Sequence, residues 1–345
     1  MQAIAVYFLQ DLYDDHNCRS GTLRGYAEAI NSLHLSRGFQ IPAELKNPKN
    51  ASAIFIKQIK DEEVIARQRE PLTIEIFVML KQLADENPDD SEFQVVFEWF
   101  CLIKILGLRG GEYAQNTQTK IEKHVYPSGT SVTKAFIRLD WIFYDHDGKK
   151  ITDHGIHNLN RVAKVKVIFR IQKNRQNGQK ITVTYEVDAV DICPVRAAYK
   201  IYLRSIRLDQ SDDEPMAVFK NKHGYVKYLT LSKIEEVLRK AARRAHPDWS
   251  DDEVNRLSSH SGRVWALVLL TESGKDGAFA CKRLRWMGDS YKLYLRDTSV
   301  INKQHSSAMK RVNGQVLALL GSNVHIIPSE QEEDIQMGTY LDPES

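Results

Sequence analysis

His260 and Arg263 stand three residues apart, which on a helix puts an imidazole and a guanidinium a turn apart on one face. The apolar run at 264–270 is followed by Gly274, a residue suited to a helix C-terminus. A second helix can then run to Trp286, and a third, short one can begin near Asp289 and carry Tyr291 and Tyr294. Cationic and imidazole groups followed by a tyrosine suit one chemistry: holding a phosphodiester and attacking it with a phenol. A phenol of pKa near 10 is ionised in roughly one molecule per thousand at neutral pH, so reaching the phenolate costs about 4 kcal/mol unless a base or nearby cations reduce it. Arg263 and Arg109 can supply those cations, and planar guanidinium groups match two non-bridging phosphate oxygens. Phosphoryl transfer is largely positioning plus charge stabilisation, so two arginines can stand where other enzymes use magnesium. No carboxylate cluster of metal-binding spacing and no glycine-rich phosphate loop accompanies them. The expectation is therefore chemistry with no metal and no cofactor.

The elements that must position these groups are mostly helical. Thr22 can cap a helix with the stripe Leu23, Tyr26, Ala27, Ile30 and Leu33, stopped by Gly38. Further helices are predicted over 52–60 and 73–84, with Pro71 between them as a domain boundary. Ser91 and Gln94 form a capping box before a richly apolar helix that delivers Gly107-Leu108-Arg109-Gly110-Gly111-Glu112. An arginine at such a helix end also suits the carbonyl dipoles there, an alternative use for Arg109.

The period changes at Ala135: a strand is predicted over 135–144, closed by the turn signal Asp147-Gly148. Two more strands, 162–171 and 180–187, flank a loop holding Lys173 and Arg175. Cys193-Pro194 opens a helix through Tyr202, with Cys193 expected as a small buried hydrophobe. Ser232 and Glu235 cap a helix bearing Arg239, Lys240, Arg243 and Arg244, a basic face that can follow a phosphate backbone or simply be solvated. Ser250 and Glu253 cap the helix leading to His260, and a last helix is predicted over 306–320. Trp265 is expected in the core.

The totals are those of a globular protein large enough for two domains. The formal charge of +3 hides an asymmetry, because residues from Ile327 onward carry six carboxylates and no lysine or arginine, leaving +9 on the remainder. That balance permits a phosphate-rich partner. Cys18, Cys101, Cys193 and Cys281 lie far apart, which excludes a zinc ribbon or disulfide framework and fits a reducing, intracellular compartment. The run IAVYFL at 4–9 meets acidic residues too soon for a signal peptide, and no apolar stretch approaches a membrane span.

The ordered set His260-x-x-Arg263, a helical spacer and then Tyr294 resembles the C-terminal motif of the tyrosine recombinases, the phage integrase family. The local form at 285–296, Arg-Trp-Met-Gly-Asp-Ser-Tyr-Lys-Leu-Tyr-Leu-Arg, looks most like the Crypton-type and related mobile-element branch. The resemblance covers about 22–296 and extends to Gly-x-Arg-x-x-Glu at 107–112. It implies a mainly α fold with a small antiparallel β-sheet: a helical core-binding domain (1–70), an α+β tyrosine-recombinase catalytic domain (71–326) and an acidic, disordered tail (327–345).

The site it implies has Tyr294 as nucleophile, Arg109 and Arg263 on the phosphate, Glu112 orienting Arg109, Lys173 as proton donor to the leaving oxygen, and His260 assisting at the nucleophile. Tyr291 takes an aromatic packing position and is the fallback nucleophile. Arg170, Arg175 and Lys180 compete with Lys173, and Arg170 and Arg175 are candidate DNA contacts with Arg239, Lys240, Arg243 and Arg244. The family commonly has His or Trp nine residues before the nucleophile, where this chain has Arg285 with Trp286 beside it; which of them serves there is open.

The activity implied is cutting and rejoining double-stranded DNA through a 3′-phosphotyrosine link, by a homo-multimer without ATP, in the nucleus if the host is a eukaryote. A catalytically silent DNA-binding protein and a type IB topoisomerase are the alternatives, and a metal-dependent nuclease is the remotest.

Overall fold

Among the described residues, three helices make up the smaller of two units, Met1–Gln68 and Arg69–Ser345. The structure, a computed structural model, describes residues 2–16, 18–40, 50–62, 71–172, 177–286, 291, 292 and 295. In the smaller unit α1 (Gln2–His16), α2 (Ser20–Ser36) and α3 (Ala51–Glu62) close on Leu9, Leu23, Ile56 and Ile59. Helix α2 begins before Thr22: Arg19 is its N-cap and accepts from the Thr22 N–H at 2.8 Å, so Thr22 lies inside the first turn instead of capping it.

The larger unit is organised around one buried helix. Thr73 caps α4 (Ile74–Asp85), accepting from the Ile76 N–H at 3.3 Å. Ser91 caps α5 (Glu92–Leu106) in the same way, accepting from the Gln94 N–H at 3.3 Å. The reciprocal half of that box is replaced, because the Gln94 amide donates to Glu98 at 3.0 Å. Val95, Val96, Trp99, Phe100, Cys101, Leu102 and Ile103 are all fully buried, so α5 buries apolar side chains around most of its circumference, as a central core helix does. After the short α6 (Gly110–Tyr113) come α7 (Pro194–Arg207), α8 (Leu231–Ala245), α9 (Asp251–Arg256), α10 (Ser261–Glu272) and α11 (Gly277–Leu284). Helices α4, α7, α8 and α10 pack directly on α5.

Where α5 meets α7, a buried ion pair is embedded. Arg204 donates to both oxygens of Glu98, at 2.6 and 2.9 Å, and each residue is 2 % exposed. Neither residue stood out in the sequence.

Among the described residues the strands form three separate antiparallel sheets: β1 (Lys123–Val125) with β2 (Ser131–Thr133), β3 (Trp141–Asp145) with β4 (Val162–Phe169) and β5 (Gln179–Thr184), and β6 (Val218–Lys220) with β7 (Val226–Tyr228). Val165, Val167 and Phe169 face the core, as their alternation requires. The strand predicted from Ala135 starts only at Trp141. The Asp140 carboxylate accepts from the Ile137 N–H at 3.0 Å and closes a 3₁₀ turn over Arg138–Asp140 first. The Asp147-Gly148 turn forms, but the returning chain makes only a single bridge, Tyr144 to Lys150, and the partner of β3 is β4. Helix α8 is capped by Thr230, not Ser232, through the Lys233 N–H at 3.2 Å. The fold is thus mainly helical with small antiparallel sheets. Among the described residues no helix is long and apolar enough to cross a membrane.

Candidate active site

Helix α5 ends at Gly107, whose φ of +53° turns the chain left-handed. A Cβ there would lie 2.8 Å from Leu284 Cδ2, so the position tolerates only glycine in this geometry. The turn releases the chain into Arg109, the N-cap residue of α6. Glu112, one turn on, holds Arg109 twice: its carboxylate accepts from the Arg109 backbone N–H at 2.9 Å and from Nη1 at 3.2 Å.

Arg263 arrives from the first turn of α10. Gly262 lets that helix approach α5 closely, since a Cβ there would meet Phe100 Cε1 at 2.7 Å and Ile103 Cγ2 at 2.8 Å. The Arg263 side chain, 2 % exposed, donates to the Gly107 carbonyl and, through Nη2, to the Arg285 carbonyl at 3.3 Å. Arg109 Nη2 donates to that same Arg285 carbonyl at 3.0 Å. Two arginines 154 positions apart in sequence therefore converge on one oxygen. The Arg263 guanidinium lies 4.6 Å from the centre of the Trp286 ring, and the half-buried His260 ring meets the same indole edge-on at 6.0 Å. His260 itself occupies the N-cap position of α10.

Arg285 is the last residue of this constellation and differs from the others. It caps α11 in the left-handed region, at φ +58°, a conformation that costs a non-glycine residue about 1–3 kcal/mol. Its guanidinium turns inward. Nη2 meets Glu112 Oε2 at 2.8 Å, Nη1 donates to the Leu106 carbonyl at 2.9 Å, and the group lies 3.7 Å from the centre of the Phe169 ring. Burial pulls its pKa down to about 10, against the opposing pull of Glu112, so the group is still charged at neutral pH.

Beyond Trp286, Tyr291 and Leu295 pack with it on Ala266, Leu267, Ala280 and Leu284 of α10 and α11. The Tyr291 hydroxyl lies against Gly277.

The structure thus brings together Arg109, Glu112, His260, Arg263, Arg285 and Trp286. Tyr294, Lys173 and Arg175 lie outside the described residues, as do the predicted helix at 306–320 and the acidic tail at 327–345.

The other expected DNA contacts are engaged within the protein. Arg170 donates to Asp140 at 2.6 and 3.0 Å and to the Thr133 and Ala135 carbonyls, contacts that anchor the end of β4. On α8, Arg239 pairs with Glu235 at 3.4 Å, Arg243 with Asp251 at 2.6 Å and Arg244 with Glu86 at 2.7 Å, while Lys240 sits 4.4 Å from the Phe93 ring centre. The basic face predicted there carries acidic partners. Trp265 packs in the core, 5.1 Å from Phe77.

Sequence reasoning gave no site role to Phe169 or to the Arg285 carbonyl, for which there was no readable signal. It named Gly107 as the start of a motif but not as the left-handed end of α5, which a glycine straight after an apolar helix signals. It also passed over Lys134, whose ammonium lies beside Gly111, two residues from Arg109, and 3.5 Å from Glu122.

No protein-family model matches the chain, and no curated protein does. Among solved structures it is similar to a lambda integrase dimer bound to a COC' core site, at 13 % identity over 87 % of this chain and 80 % of that one, with a TM-score of 0.44. It is also similar to XerA recombinase (12 % identity, 88 % and 81 % covered, TM-score 0.37). A third likeness is to the Tn1549 transposon integrase in complex with circular intermediate DNA (11 % identity, 85 % and 79 % covered, TM-score 0.39). These neighbours are recombinases and integrases.

Proposed function

We propose that the protein is a tyrosine-type DNA strand transferase, a site-specific recombinase or integrase. The observation that carries this reading is the convergence of Arg109 and Arg263 on one oxygen, with His260 and Trp286 beside them, at the start of the segment leading to Tyr294. In this reading a scissile phosphate binds at the two guanidinium groups, which neutralise the charge that builds on its non-bridging oxygens. Tyr294 attacks the phosphorus, forming a 3′-phosphotyrosine bond and breaking the bond to the 5′ oxygen. Lys173 delivers the proton that this leaving oxygen takes up, and His260 assists proton transfer at the phenol. The freed 5′-hydroxyl of a second cut strand then attacks the phosphotyrosine, so the bond energy is conserved. That exchange needs two sites cut together, which is why the working form is a multimer on double-stranded DNA. The domain roles follow: residues 1–70 clamp DNA, and 71–326 cut and rejoin it.

An active enzyme is favoured over a silent DNA-binding relative by Trp286. The departure at Arg285 does not vacate the place beside His260 and Arg263, because the indole stands there. The test is a suicide substrate, a nicked duplex that loses its 5′ fragment on cleavage. Wild type should become covalently attached to the DNA in the presence of EDTA, and Tyr294→Phe should not. Attachment that requires a divalent metal, or that survives in Tyr294→Phe, overturns the reading. Relaxation of site-free supercoiled plasmid would point instead to a topoisomerase.

A further inference from the structure

Arg285 is a buried, charged residue in a left-handed backbone conformation, and the mechanism above gives it no task. Its two ends serve different neighbours. The left-handed turn aims its carbonyl at Arg109 and Arg263 together, at 3.0 and 3.3 Å. A carbonyl fixes the direction of a guanidinium without neutralising it, whereas a carboxylate in that place would cancel the charge a phosphate needs. The side chain runs the other way, to Glu112, to the Leu106 carbonyl and onto the Phe169 ring. Glu112 is the residue that grips Arg109. Phe169 is the last residue of β4, which leads into the loop that holds Lys173. Trp286, next in sequence, begins the segment that leads to Tyr294.

We propose that Arg285 is a positioning residue that sets the two phosphate-facing arginines through its carbonyl and, through Glu112 and Phe169, ties them to α6 and the end of β4. This rests on the strand-transferase reading. The residue does not touch the phosphate itself; it acts through groups that do. Small displacements of such groups are costly, on the order of 100-fold in rate for a misplacement of about 1 Å.

The test is single-turnover cleavage of the suicide substrate at saturating DNA by the full chain, as wild type, Arg285→Met, Arg285→Lys and Arg285→Gly, with rates normalised to folded protein. Arg285→Gly keeps the left-handed backbone and removes the side chain; Arg285→Lys keeps a cation without the two-pronged grip. Met and Gly should cleave about 100-fold more slowly with DNA affinity within about twofold, and Lys should recover about tenfold.

Each rate is then repeated on DNA with an uncharged methylphosphonate at the scissile position. Removing one non-bridging charge lessens the need for aligned arginines, so the wild-type-to-variant ratio should shrink at least about tenfold. A ratio that stays the same on both substrates, or variants that cleave normally, overturns the positioning role while leaving the strand-transferase reading intact. Absence of any wild-type adduct overturns that reading and this one with it. Should Arg285→Met fail to fold, the Lys and Gly ratios decide.

Discussion

At the scale of single residues, the candidate site is a small electrostatic machine with one carboxylate at its hinge. Glu112 touches Arg109 with one oxygen and the backbone N–H of Arg109 and the guanidinium of Arg285 with the other. Because Arg285 is 1 % exposed, removing its carboxylate partner leaves a buried charge poorly compensated. Glu112→Ala should therefore cost about 3–5 kcal/mol in chemical denaturation, far more than a surface ion pair contributes. A loss below about 1 kcal/mol would show that solvent or another group takes over the role. That Arg109, His260 and Arg263 come together was legible in the sequence, because their types and spacing suit one anion. The inward turn of Arg285 was not, since nothing local distinguishes a guanidinium that reaches a phosphate from one that reaches Glu112, 173 positions earlier.

At the scale of elements, capping and period read well where the interaction is short-range and poorly where it is not. Ser91 and Ser250 cap the helices expected of them, and Thr73, expected inside its helix, caps it instead, all through bonds three residues long. The ion pairs of α8 were not legible, because the partner of Arg244, Glu86, is 158 positions away and invisible to any local pattern. If these ion pairs persist on DNA, the double variant Arg243→Ala/Arg244→Ala should change the salt slope of DNA binding by less than about 0.5; two true phosphate contacts would change it by about 1.8.

The β3–β4–β5 sheet packs on α7 around an aromatic cluster in which the His154 ring lies 4.6 Å from Tyr202 and 6.2 Å from Phe143. Burial holds the His154 pKa below its ordinary 6.5, with Lys150 acting in the same direction and Asp153 opposing. The unfolded chain therefore binds the proton more readily, so this contribution to stability is complete above about 6.5 and is lost as pH falls below it. A Tm series between pH 7.5 and 5 should decline, and His154→Phe should flatten the decline; an equal slope in both would remove His154 from the account.

At the scale of the whole molecule, the two units differ in how much they bury. Among the described residues the smaller closes on four buried apolar side chains, whereas the larger buries most of α5. Small cores are marginal, so in hydrogen exchange on the full chain the amides of α1–α3 should exchange through local opening well before those of α5. Uniform protection across both units would contradict that. The order helical segment, buried helix, small sheets and helical C-terminal set was readable because hydrophobic period reports each element separately. The three-way division of the strands into separate sheets was not, because pairing depends on partners that period alone does not name. The central claim reaches across this whole scale: groups from α5–α6, α10 and the segment after α11 act on one phosphate. Digesting the covalent protein–DNA complex and identifying the linked peptide by mass spectrometry tests it most directly. The account predicts that the nucleotide is attached at Tyr294; attachment at another residue, or none, would contradict it.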